Sequence, residues 1–226
     1  AGATSEAARA AKAWKAYQDF VADPGPKCPT CWLLRKHCSC HGLEALRAEL
    51  RMQVVLVMHY SEVGRHLGSN TAKLLLHFGA ELLVWGLESH ERRLAEMVGA
   101  DPEGTVVLFP SAGAVAASEM RGSALPRRVI VVDGGWRECK RMNESIDSRV
   151  RRCVVTGATR QEYGGTRKYA SGAGDGGDRV QTAAAFAALL EEFGEAPAHV
   201  LAVKDGLAHF MRCWEAQIGR SKTFVT

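Results

Sequence analysis

The feature that most constrains this chain is a set of five short runs, 54–58, 82–85, 106–109, 129–132 and 153–155, built from β-branched, aliphatic and aromatic residues with no polar alternation. A strand that shows one face to water alternates polar with apolar residues, whereas a strand apolar at every position is buried on both faces. Helical signals lie between the runs. Ser69-Asn70 reads as a cap ahead of Leu74, Leu75 and Phe78, and a helix is expected over 88–98. Strands alternating with helices predict an α/β fold with a mostly parallel sheet and helices on both faces. Two more helices are expected over 180–193 and 197–218, after a glycine-rich stretch at 164–177 that reads as a mobile loop.

The chain has 226 residues, 46% hydrophobic and 24% charged, which suits one packed domain carrying a small appendage. Its longest apolar stretch, 182–190, is far shorter than a bilayer requires, so no membrane partner is expected. Residues 5–21 read as a helix with Ala7, Ala11, Trp14 and Tyr17 on one side, stopped by Asp23-Pro24-Gly25-Pro26. This region is rich in alanine, with Arg9, Lys12 and Lys15 against Glu6, a composition shared by amphipathic helices and by remnants of organellar import segments. The expected layout is an N-terminal helix over 1–22, a cysteine-rich segment over 23–44 and the main domain over 45–226.

Seven cysteines are present. The odd number, and the crowding of four of them between residues 28 and 40, argue against a secreted disulfide scaffold. A reducing compartment is expected instead, cytoplasmic or organellar, the mitochondrial matrix included. Cys28, Cys31, Cys38 and Cys40 follow the pattern C-x2-C-x6-C-x-C. Tetrahedral zinc with sulfur ligands at about 2.3 Å needs such local crowding, and a closed four-ligand shell is structural rather than catalytic. His37 and His41 flank the last two cysteines, so the shell reads as four thiolates or as three with one imidazole. Cys139, Cys153 and Cys213 read as small buried hydrophobes.

Ligands of open α/β sheets collect at the carboxyl ends of strands. Three such ends carry suitable residues: Phe109-Pro110-Ser111-Ala112-Gly113, Asp133-Gly134-Gly135-Trp136 and Thr156-Gly157-Ala158-Thr159. Glycine there lets backbone approach a ligand closely. The net charge of +4 favours an anionic partner only weakly, and its clustering says more. Arg127, Arg128, Arg137, Lys140, Arg141, Arg149, Arg151 and Arg152 are expected around a single crevice, as a solvated surface or as a face for nucleic acid.

The segment 133–142, Asp-Gly-Gly-Trp-Arg-Glu-Cys-Lys-Arg-Met after the run 129–132, resembles the Asp-x-Thr-Trp motif that defines the DTW-domain family of tRNA-uridine aminocarboxypropyltransferases. Other similarities follow in family order. The cysteine cluster resembles the family's zinc knuckle; Met58-His59, Gly64-Arg65 and Ser69-Asn70-Thr71 resemble its first loop; Phe109-Pro110-Ser111 resembles its second. The resemblance implies a SPOUT-like fold whose trefoil knot cradles S-adenosylmethionine, together with a structural zinc. The implied reaction carries the 3-amino-3-carboxypropyl group to N3 of a uridine in tRNA. Asp133 would be catalytic, as a base or as a counter-charge to the sulfonium. Cofactor contacts would come from Phe109, Pro110, Ser111, Gly113, Gly134, Gly135, Trp136, Thr156 and Gly157, and RNA contacts from Arg65, Asn70, Thr71, Arg137, Lys140 and Arg141.

Three departures accompany the resemblance. Gly135 stands where the motif has threonine, the family's Tyr-Arg pair is blurred within 162–169, and Ala184 stands where the helix motif Ser-Thr-x-Glu, here Gln181-Thr182-Ala183-Ala184, has its acid. They leave a rival class open: a paralogue without turnover, bound to structured RNA, rRNA or ribosomal proteins as an assembly factor. A SPOUT-type RNA methyltransferase stands behind it.

Overall fold

The computed structural model describes residues 2–46, 49–121, 125–156 and 181–219. Its strands are β1 (Gln53–His59), β2 (Glu81–Trp85), β3 (Thr105–Leu108), β4 (Val115–Ala116), β5 (Arg128–Asp133) and β6 (Arg151–Val154). They form one sheet in the order β2-β1-β5-β3-β6-β4, and every pairing is parallel. All five apolar runs are strands. Only β4 was not signalled, because two residues at a sheet edge carry no run to read. The helices are α1 (Gly2–Ala22), α2 (Cys40–Leu43), α3 (Tyr60–Arg65), α4 (Leu74–His77), α5 (Glu88–Ala100), α6 (Trp136–Ser145), α7 (Thr182–Phe193) and α8 (Pro197–Gln217).

The pleat explains why the runs are unbroken, since successive side chains point to opposite faces and both faces are covered. Val55 and Val57 of β1, with Ile130 and Val132 of β5, pack against Leu94, Met97 and Val98 of α5 and Cys139 and Met142 of α6. Val54, Leu56 and Met58, with Val129 and Val131, pack instead against Phe186, Leu189 and Leu190 of α7 and Val203, Leu207 and Phe210 of α8. The pairing of Val55 with Ile130 and of Val57 with Val132 keeps this sorting consistent between neighbours.

The cysteine-rich segment shares the second of these cores. Cys28, Cys31, Trp32 and Leu33 are buried within it, and the Leu34 N–H donates to Gln217 Oε1 of α8 at 2.7 Å. The buried stripe of α1 differs from the one expected. It runs through Ala10, Trp14, Tyr17 and Phe20, while Ala7 and Ala11 are exposed, because steps of three and four from Ala10 stay on one helical face. Ala10 and Ala13 pack so closely on Gly86 and Gly64 that a β-carbon at either glycine would come within 2.8 and 2.9 Å of them. Among the described residues no helix is long and apolar enough to cross a membrane. The expected glycine-rich loop at 164–177 lies outside the described residues, which also omit the rest of 157–180.

Candidate functional site

In the strand order, β5 separates β1 from β3. The chain winds to one side from β1 and to the other from β3, so the crevice beyond the carboxyl end of β5 is the topological switch point, where ligands of such sheets bind. Asp133 ends β5 there and is buried. Asn70 Nδ2 donates to its Oδ2 at 2.7 Å, and Thr182 Oγ1 donates to its Oδ1 at 2.6 Å. One carboxylate thereby ties the turn before α4, the end of β5 and the first residue of α7. The Asn70 amide is oriented by the Lys73 N–H, which donates to Asn70 Oδ1 at 3.3 Å, so its NH2 is directed to the acid.

Lys73 backs this arrangement. Its buried ammonium donates to the carbonyls of Leu67 and Gly68 at 3.2 and 3.1 Å and lies over the rings of Trp32 and Phe210. Burial pulls its pKa down to about 7, against the pull of nearby Cys31 and other acidic groups.

The two neighbouring strand ends complete the crevice. Met58 pairs with Asp133 in register, so His59, the last residue of β1, stands beside Gly134. That glycine has little room, since a β-carbon on it would lie 3.0 Å from His59 Cβ. Burial lowers the His59 pKa, and the surrounding carboxylates of Glu138, Glu6 and Glu62 oppose that shift. On the other side, the half-exposed Trp136 stacks on the buried Phe109 with centroids 5.2 Å apart and planes at 25°. Glu138 folds back over Gly135, where a β-carbon would collide with its carboxylate. The threonine expected at this position is thus replaced by a glycine whose side-chain space an acid occupies.

The residues expected to bind cofactor are distributed accordingly. Phe109 and Trp136 meet, Gly134 and Gly135 turn the chain between Asp133 and α6, Pro110 and Gly113 are exposed, and Ser111 is half-buried. Gly113 has φ of 78°, which glycine adopts without strain. Thr156 is held by Glu192, its N–H donating to Oε1 at 2.6 Å; Gly157 lies outside the described residues. Of the expected RNA contacts, Arg65, Arg137, Lys140 and Arg141 are exposed. Asn70 and Thr71 are both buried, and the Asn70 amide donates to Asp133.

The single basic crevice is also corrected. Arg128 opens β5 and Arg151 opens β6, which puts Arg127, Arg128, Arg151 and Arg152 at the amino edge of a parallel sheet, opposite Asp133. Arg127 is paired with Asp101 at 2.7 Å. Arg152 donates to the Asn143, Ile146 and Asp147 carbonyls at 2.8, 2.7 and 2.8 Å, capping the end of α6, and Arg149 is paired with Asp147.

At the other candidate centre, the sulfurs of Cys28, Cys31, Cys38 and Cys40 lie within 4.8 Å of one another. Cys28 and Cys40 are 3.6 Å apart, and Cys31 and Cys38 3.7 Å; sulfurs at about 2.3 Å from a tetrahedral zinc are separated by about 3.8 Å. This set can hold a zinc ion, and neither His37 nor His41 belongs to it. The crowding splits the thiols: hydrogen bonding from Cys40 pulls Cys31 down to about 4, while its partnership with Cys31 drives Cys40 upward. A divalent cation relieves that conflict by favouring all four thiolates at once. His209 of α8 buttresses the cluster, with Nε2 3.1 Å from the Ser39 carbonyl.

Sequence reasoning assigned no role to His59, Lys73, Glu138 or Thr182 at this site. A signal for the first was available: His59 follows the run 54–58 as Asp133 follows 129–132, each a polar residue at the carboxyl end of a fully apolar strand.

Fold and sites together define a doubly covered parallel α/β protein with a buried, hydrogen-bonded acid at its switch point and a four-cysteine centre docked on its core. The DTW domain matches residues 25–218, and the chain belongs to that family, the tRNA-uridine aminocarboxypropyltransferases. Its general function is tRNA modification, with RNA as a partner. No curated protein and no solved structure matches the chain. Helix α1 lies outside the matched residues.

Proposed function

We propose that this protein transfers the 3-amino-3-carboxypropyl group of S-adenosylmethionine to N3 of a uridine in tRNA, with zinc held by Cys28, Cys31, Cys38 and Cys40 and the chain knotted around the cofactor site. The observation that carries the reading is Asp133: a carboxylate buried at the switch point and oriented by Asn70 and Thr182. Bound S-adenosylmethionine supplies an electrophilic carbon attached to a sulfonium. Asp133 offsets that positive charge or receives the N3 proton. Trp136, stacked on Phe109 and half-exposed, offers a flat surface for a planar base. Gln181 Oε1, one residue before Thr182, is buried without a hydrogen-bond partner among the described residues, which suits an N–H donor of the cofactor. Arg137, Lys140 and Arg141 on α6 would meet RNA phosphates.

The acid missing at Ala184 weighs little against this reading. Ala184 is fully buried in the apolar core, so an acid there would not face the crevice. Incubation with S-adenosylmethionine and unmodified tRNA, followed by nucleoside mass spectrometry, tests the reading. Aminocarboxypropyluridine with released methylthioadenosine is expected. S-adenosylhomocysteine with a methylated nucleoside would show a methyltransferase, and absence of cofactor binding by calorimetry would show a scaffold.

A further inference from the structure

His59 is unusual among the polar residues of the crevice. It is 5% exposed, yet only one of its ring nitrogens is engaged. The Ser61 N–H donates to Nδ1 at 3.3 Å, and Ser61 Oγ lies 2.8 Å from the same atom, so the imidazole caps α3. A backbone N–H directed at Nδ1 requires a lone pair there, which leaves the proton of a neutral imidazole on Nε2. Among the described residues nothing pairs with Nε2. The ring packs against Tyr60 with centroids 4.2 Å apart and planes tilted by 34°, and Gly134, next to Asp133, gives it room. A fixed tautomer, a fixed plane and a spare N–H beside the buried acid form a hydrogen-bond donor whose partner is not part of the crevice wall.

We infer that His59 is a second catalytic residue of this site, a neutral imidazole whose Nε2–H donates to a carbonyl oxygen of the target uracil. The inference rests on the transferase reading. In that reaction N3 passes its proton to the Asp133 carboxylate and attacks the carbon attached to sulfur; the N–C bond forms, the C–S bond breaks, and its electron pair neutralises the sulfonium to a thioether. Deprotonation of N3 spreads negative charge onto the flanking carbonyl oxygens. A donor held at one of them binds the anion more tightly than the neutral base, which is the condition for accelerating the chemical step. His59 does not take the proton: its lone pair is committed to the cap, and burial disfavours the imidazolium.

Two substitutions separate this role from the cap. In His59→Asn the shorter amide oxygen still caps the helix, as asparagine does well, but no donor reaches the Nε2 position. In His59→Gln an N–H group reaches that position while the cap is weakened. The expected result is a crossed pattern. His59→Asn keeps the wild-type thermal midpoint and its affinity for S-adenosylmethionine by calorimetry, while kcat for transfer to tRNA falls about a hundredfold with KM little changed. His59→Gln melts lower but retains most of kcat. A purely structural His59 gives the opposite ranking, with His59→Asn active and His59→Gln impaired. That ranking, or equal loss of kcat in both variants, overturns the inference. A wild-type protein that binds S-adenosylmethionine but makes no aminocarboxypropyluridine overturns the underlying reading instead.

Discussion

The cysteine centre and the crevice around Asp133 are both polar clusters set into the same apolar core, and they solve the problem of buried polarity in opposite ways. The sulfurs of the first have mainly one another for neighbours, at 3.6 and 3.7 Å. The carboxylate of the second has a donor for each oxygen, at 2.7 and 2.6 Å, from segments 63 and 49 residues away. A cluster that satisfies itself only with a cation is a structural device, while one already satisfied by the chain is preorganised and holds its charge ready for something else. The comparison assigns folding to one end and chemistry to the other, and each assignment can be broken.

Removing the metal is the harshest trial. Purified protein should carry close to one zinc per chain by elemental analysis. Stripping it should abolish the cooperative thermal transition, since a structural zinc contributes on the order of 10 kcal/mol and Cys31, Trp32 and Leu33 beside it are part of the core. A metal-free chain that still melts cooperatively near the same temperature would erase the contrast between the two ends.

Asp133 should show the reverse pattern. In Asp133→Asn the remaining oxygen can keep the Asn70 bond, and the Thr182 hydroxyl can rotate to accept from the new NH2, so stability should fall by only about 1 kcal/mol. Turnover should fall by about 10² to 10⁴. Asp133→Ala removes the acceptor of the Thr182 hydroxyl and leaves the Asn70 amide only its longer bond to Glu62 Oε2 at 3.4 Å, and should cost about 1–3 kcal/mol. Chemical denaturation alongside product analysis separates the two effects. Full turnover by the asparagine variant would make Asp133 a tether only.

How much of this was legible beforehand depends on the range of the signal. The strands were legible because burial on both faces writes an unbroken local run, and the metal set because its ligands lie within one short loop. The place of Asp133 followed from strand polarity. Its partners did not, since Asn70 and Thr182 meet it only once the sheet and α7 are assembled, and Asn70 looked like a surface residue for that reason. The basic residues misled for a related cause: Arg128 and Arg137 are near in sequence but stand at opposite ends of a parallel strand and its following helix. In the stripe of α1 the aromatic members Trp14 and Tyr17 were legible, whereas Ala7 and Ala11 were misplaced because alanine marks a helical face too weakly.

Lys73 lies between the two centres, over Trp32 of the cysteine segment and below the turn that carries Asn70. Its folded pKa of about 7 lies below the ordinary 10.5 because of burial. Between these values the unfolded chain holds a proton that the folded chain has released, so this lysine makes stability rise with pH across that window; below about pH 7 the contribution no longer changes. Urea midpoints should therefore increase from pH 7.2 to 8.5, and Lys73→Met should flatten the rise. An unchanged slope in the variant would show that the ammonium is better solvated than its burial implies, and that the two centres are not coupled through it.

The smallest effects are expected at the surface, where the assignment of chemistry to the carboxyl end meets RNA. Arg141 of α6 is half-exposed and donates to Glu6 of α1 at 2.8 Å. An ion pair this exposed contributes at most about 1 kcal/mol to folding, so its substitution reports on binding rather than on stability. Arg141→Ala should weaken tRNA binding a few-fold and lower the slope of log affinity against log salt by about one, the loss of a single phosphate contact. Glu6→Gln removes the competing carboxylate and should strengthen binding slightly. Lys36 in the cysteine segment, also exposed, is the control. Its replacement by alanine should change affinity less than Arg141→Ala in the same titration, because it lies at the end assigned to folding. If Lys36 proves the more costly of the two, the cysteine centre is the RNA-binding end and the division between the two regions must be drawn the other way.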